Sequence, residues 1–66
     1  MRIEVNGSGR EFPAGGSVRR LLTELGLDPR MVVVERNREI IRREELDDVL
    51  VADGDRYEIV QFVGGG

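Results

Sequence analysis

Ser17-Val18-Arg19-Arg20-Leu21-Leu22-Thr23-Glu24-Leu25-Gly26-Leu27-Asp28-Pro29 holds the clearest helical signal in this chain of 66 residues. Val18, Leu21, Leu22 and Leu25 recur at i, i+3, i+4 and i+7, which places four apolar side chains on one face of a helix. Ser17 suits the N-cap, where a short hydroxyl side chain accepts from a backbone N–H that has no partner in the helix. Gly26 suits the C′ position, Leu27 the apolar contact that follows it, and Pro29 the stop beyond. Arg19 and Arg20 stand in the first turn against the helix dipole and read as a solvated face. A helix with one apolar stripe must lie on another layer, and the flanking sequence supplies strands for it.

Upstream, Arg2 to Asn6 alternates, with Ile3 and Val5 on one face and Arg2 and Glu4 on the other, as a half-buried strand does. Asn6-Gly7-Ser8-Gly9 follows, and Asn-Gly is a strong hairpin signal. Arg10 to Pro13 reads as the return strand. Because Pro13 cannot donate to a ladder, that strand belongs at a sheet edge. Downstream, Val32-Val33-Val34 is β-branched and apolar on both faces, the composition of an inner strand. Asn37-Arg38 suits a turn and Glu39-Ile40-Ile41 a short strand. Glu44 to Asp48 is expected to form one helical turn with Leu46 pointing inward. Asp53-Gly54-Asp55 reads as a turn, since Gly supplies positive φ and Asp a local acceptor. A cation site there would lack enough nearby ligands and the calcium-loop spacing. Arg56 to Val63 is the last strand, and Gly64-Gly65-Gly66 ends the sequence.

Composition narrows the function. Cys and His are both absent and all ten basic residues are arginine, so disulfides and the usual zinc ligands are excluded together. The side chains that most often serve as general base or nucleophile near neutral pH are missing with them. Ser8, Ser17, Thr23 and Tyr57 have no imidazole to activate them, so the chain is expected not to be an enzyme and to have no catalytic residue. A net charge of −3 argues against nucleic acid, which selects a basic face. No apolar run reaches the ~20 residues of a membrane span. Met1 leads straight into a strand-like segment, so neither a leader nor a location outside the cytoplasm is expected.

The glycine run is the informative feature. Three residues without side chains can adopt extended conformations and enter a narrow channel, reaching roughly 10 Å beyond Val63. On the last strand Tyr57, Ile59 and Gln61 share one face and Glu58, Val60 and Phe62 the other. Ile59 is expected in the core against the helix, and Val60 and Phe62, with Val63, on a side that faces a partner.

The whole chain resembles the thiamine-biosynthesis sulfur carrier family, relatives of the molybdopterin-synthase small subunit and more distantly of ubiquitin. The resemblance is carried by Val32-Val33-Val34-Glu35-Arg36-Asn37-Arg38-Glu39-Ile40-Ile41, by Asp53-Gly54-Asp55, and by Glu58-Ile59-Val60-Gln61-Phe62-Val63-Gly64-Gly65-Gly66. It implies an α+β, β-grasp (ubiquitin-like) fold over residues 1–63, a small mixed sheet of four to five strands packed on one main helix, with 64–66 as a flexible tail. It implies further that Gly66 is the modified residue, with Gly64 and Gly65 as its arm. An E1-like activating enzyme using ATP and magnesium would adenylate the Gly66 carboxylate, while the carrier itself binds no cofactor. A persulfide donor such as a cysteine desulfurase would convert the adenylate to a thiocarboxylate, and thiazole synthase would receive the sulfur. A ubiquitin-like modifier joined through Gly66 to lysines, or a molybdopterin-type carrier, would use the same adenylate.

Overall fold

Positive backbone angles at Asn6 (φ 49°) and Gly7 (φ 83°) close a two-residue hairpin between β1 (Arg2–Val5) and β2 (Ser8–Glu11). Such a turn matches the right-handed twist of the strands it joins. Because the turn needs only those two residues, the return strand begins at Ser8, earlier than the expected Arg10, and ends before Pro13. The computed structural model describes residues 1–62, so the expectations placed on Val63, Gly64, Gly65 and Gly66 lie outside the described residues. Helix α1 follows over Val18–Glu24. Then come β3 (Val32–Arg36), β4 (Glu39–Ile41) and β5 (Arg56–Gln61). A second positive-φ pair, Asn37 and Arg38, turns β3 into β4.

The five strands form one sheet in the order β2-β1-β5-β3-β4, with β1 and β5 parallel and the other neighbours antiparallel. This is the mixed sheet and single main helix of a β-grasp fold. As Pro13 implied, β2 lies at an edge. Val32–Val34 is inner, flanked by β5 and β4.

Both helix ends are satisfied. Ser17 Oγ accepts from Arg20 N at 3.1 Å, while Val18 N and Arg19 N donate to the carbonyls of Val49 and Leu46. Arg19 lies 2.7 Å from Asp47, which offsets its unfavourable place in the first turn. Leu27 N donates to Leu22 O and Gly26 N to Thr23 O, with Gly26 at φ 73°. That pair of bonds is a Schellman cap.

Val18, Leu21 and Leu22 of the helix are fully buried, and they share one core with Ile3, Phe12, Val32, Val34, Leu46, Val51, Tyr57 and Ile59. Leu46 arrives there after a single 3₁₀ turn at Arg43–Glu45, a little upstream of the expected 44–48. Another 3₁₀ turn, Pro29–Met31, leads into β3, capped by the Asp28 side chain on Arg30 N. Asp28-Pro29 is the turn-initiating pair behind it.

Candidate functional site

Strand β5 leads toward the glycine run, and its neighbours hold it along its length. On one side β3 pairs with it from Arg36↔Tyr57 to Val32↔Gln61, and Phe62 N donates to Met31 O at 2.7 Å. On the other side β1 ends at Val5, and the Asn6 side chain takes over the ladder. Its Oδ1 accepts from Ile59 N at 2.8 Å and its Nδ2 donates to Ile59 O at 3.2 Å. Asn6 thus does two things at once: it takes the positive φ of the turn and completes the pairing of the strand that leads to Phe62.

Alternation then sorts the side chains of β5. Tyr57 and Ile59 point into the core, while Gln61 on the same side is exposed. Arg56, Glu58 and Val60, with Phe62 beyond them, fall on the opposite, helix-free face. Val60 is 62% and Phe62 47% exposed, the side on which the sequence placed them. Register adds two residues that reading β5 alone does not reach. Val33 lies opposite Val60, and Ile40 lies opposite Glu35, so both belong to the same face. Ile40 is 65% exposed. The four make an apolar patch beside the point where β5 ends. A groove of about 290 Å³, lined by Pro29, Val33, Ile40, Arg42, Arg43 and Phe62 among others, runs along it.

Next to the patch the same face turns acidic. Glu35 and Glu58 are directly opposite each other on β3 and β5. They border a hollow of about 380 Å³ with Glu4, Asn37, Arg38 and Arg56. Glu4 is paired with Arg56 at 3.8 Å. Among the described residues neither Glu35 nor Glu58 has a cation within ion-pair distance.

The titratable groups inside the fold serve structure. Asp55 is 5% exposed; its Oδ2 accepts from Arg36 Nε, Tyr57 OH and Ala52 N, and its Oδ1 from Asn37 Nδ2. Burial pushes its carboxyl up, but these four donors outweigh it and hold the group below the ordinary carboxylate value. Burial, and then the bond to Asp55, pushes the Tyr57 hydroxyl well above its ordinary value, which makes it a poor acid or nucleophile near neutrality. Two further hydroxyl side chains are engaged by the helix: Ser17 caps α1 and Thr23 Oγ1 donates to Arg19 O. Asp53 Oδ1 accepts from Arg2 N at 2.8 Å, so the Asp-Gly-Asp turn directs its carboxylates to protein donors and leaves no oxygen cage for a cation. Among the described residues no group of three or more acidic side chains is gathered to hold a metal, and no helix is long and apolar enough to cross a membrane.

Comparison with known proteins agrees with this architecture. The family model described as the ThiS family matches residues 3–66. The sulfur carrier protein ThiS of Bacillus subtilis is 47% identical over 51 residues, 77% of each chain. A thiazole synthase of Paramagnetospirillum magneticum is 50% identical over all 66 residues, and a second, from Magnetococcus marinus, is 38% identical. The chain spans only 20% of the length of each of those two relatives. The crystal structure of a thiamine biosynthesis protein (ThiS) from Geobacter metallireducens superposes with a TM-score of 0.81 at 37% identity, covering 100% of both chains. With the fold and these matches in agreement, the chain belongs to the ThiS family.

Proposed function

We propose that this chain carries sulfur for the thiazole ring of thiamine on the carboxylate of Gly66, and that partner enzymes perform all the chemistry. The observation that carries the proposal is the apolar patch of half-buried Val33 with exposed Ile40, Val60 and Phe62, whose Phe62 is four residues from Gly66. A partner that draws the last three glycines into its active site must order them, at roughly 3–6 kcal/mol for three backbone residues. The tail has no side chains with which to offset that cost. An apolar face within reach of the tail supplies the compensating contacts.

The chemistry balances as follows. A carboxylate oxygen of Gly66 attacks the α-phosphorus of ATP, held with magnesium by an E1-like activating enzyme, and pyrophosphate leaves. The terminal sulfur of a persulfide, supplied by a cysteine desulfurase or another donor, attacks the acyl carbon and AMP leaves. A thiol then cleaves the resulting S–S bond, and the thiocarboxylate remains on Gly66. The persulfide step, with its reductant, fits a cytoplasmic setting. Thiazole synthase as acceptor is supported by the longer relatives of that name that contain a segment similar to this chain.

Intact-mass measurement of the chain after incubation with activating enzyme, ATP and a persulfide donor tests the proposal. One oxygen replaced by sulfur at Gly66 is the expected result. A chain that stays unmodified, or that forms only amide conjugates with lysines, overturns it; the second outcome would make the protein a modifier.

A further inference from the structure

We propose that the helix-free sheet face is a two-part docking surface for thiazole synthase, in which Val33, Ile40, Val60 and Phe62 take an apolar surface and Glu35 with Glu58 take one cationic side chain of the enzyme. This rests on the carrier function proposed above and specifies how the partner is recognised. Two independent features of the face lead to it.

The first is reach. The four residues after Phe62 span at most about 14 Å when extended. An enzyme holding Gly66 in a reactive position therefore stands against the end of β5 and covers the patch beside it. The second is charge. On the β2–β1 side the face is neutralised: Arg2 pairs with Glu11 and Glu4 with Arg56. The hollow next to the patch holds three carboxylates, Glu4, Glu35 and Glu58, against two guanidinium groups, Arg38 and Arg56. One negative charge is left over, and it lies with the two carboxylates that have no ion-pair partner among the described residues. Like charges directly opposite each other on neighbouring strands destabilise a sheet. One arginine or lysine entering between them restores neutrality and relieves that repulsion, while the apolar patch excludes water around it.

The hollow and the patch are adjacent on one face and share strands β3 and β5, so one enzyme surface can meet both. Charge contacts of this kind set the orientation and register of docking more than its overall strength. Here the orientation matters, because only one places the tail over the active site. The acidic pair is accordingly a specificity element, and the apolar patch the main source of contact area.

The test measures the dissociation constant of the full chain for thiazole synthase at low and high salt. Glu35→Gln with Glu58→Gln in one chain should weaken binding on the order of tenfold at low salt and flatten the salt dependence. The same double variant should melt no lower than wild type, because removing the repulsion does not harm the sheet; a merely structural role would lower the melting temperature instead. Binding that is unchanged at low salt refutes the inference. Weakened binding to the activating enzyme with unchanged binding to thiazole synthase refutes it as well, because the occupant would be wrong. Failure of the carrier function itself is seen separately, as wild-type chain that gains no sulfur.

Discussion

Asp55→Asn is the perturbation that best probes how this fold is held together. The change keeps shape and removes charge. One Asp55 oxygen accepts three donors, Arg36 Nε at 2.8 Å, Tyr57 OH at 2.8 Å and Ala52 N at 2.9 Å, and the other accepts Asn37 Nδ2 at 3.1 Å. Asparagine offers one acceptor oxygen. If it replaces Oδ2, its NH₂ group faces the Asn37 amide donor, and Asn37 cannot simply flip, because its own oxygen accepts from Arg56 N. The ion pair with Arg36 is lost in either orientation. A hydrogen bond to a charged group is worth about 1.5–3 kcal/mol, and a buried group without its partner costs about 1–3 kcal/mol. Because the Arg36 bond is weakened rather than removed when the amide oxygen takes the Oδ2 place, about 2–3 kcal/mol in all is expected, which lowers the melting temperature by roughly 10–20 °C in a domain this small.

The effect has a pH signature. The folded-state carboxyl of Asp55 lies below its ordinary value of 3.8, so the group's contribution is fully present above that value and is lost as pH falls through the folded-state value. The wild type should therefore lose stability in acid that the variant never had, and the gap between the two melting temperatures should narrow as the pH falls below 3.8. Thermal unfolding followed by circular dichroism across that range measures it. A variant that melts within two or so degrees of wild type at neutral pH would refute the reasoning, as would a gap that does not narrow in acid.

Leu22→Ala, at a position fully buried under the sheet, should cost about 2–5 kcal/mol in chemical denaturation; a near-neutral result would place the core elsewhere. Phe62→Ala should weaken partner binding by about 1–3 kcal/mol with little change in melting, because this side chain is half exposed. Deleting Gly65 and Gly66 should leave the melting temperature nearly unchanged, since among the described residues the buried core runs from Ile3 to Ile59, and should abolish sulfur loading by intact mass.

How much of this was legible beforehand depended on the range of the interactions. Local signals were reliable. Ser17 caps the helix, Gly26 closes it, Asn6-Gly7 and Asn37-Arg38 turn the two hairpins, and alternation on β5 separates Ile59 from Val60 and Phe62. Each is a backbone or period-2 preference within a few neighbouring residues, and folding does not alter it. The start of β2 was misplaced by two residues because a tight turn and a longer loop begin with the same letters. Asp55 was read as a turn residue, and so it is. Its four donors come from residues up to 19 positions away, and no local pattern encodes such a meeting.

The sequence alone therefore determined the helix and its caps, the hairpin turns, the outward face of the last strand and, through composition, the absence of ordinary catalytic side chains. Strand order was decided only in three dimensions. The parallel pairing of β1 with β5, the Asn6 side chain that continues it, and the assembly of Val33, Ile40, Val60 and Phe62 into one patch beside Glu35 and Glu58 all join residues far apart in the chain. Periodicity states which side of a strand is apolar, but which strands lie side by side follows from burying the helix and both hairpins in one core.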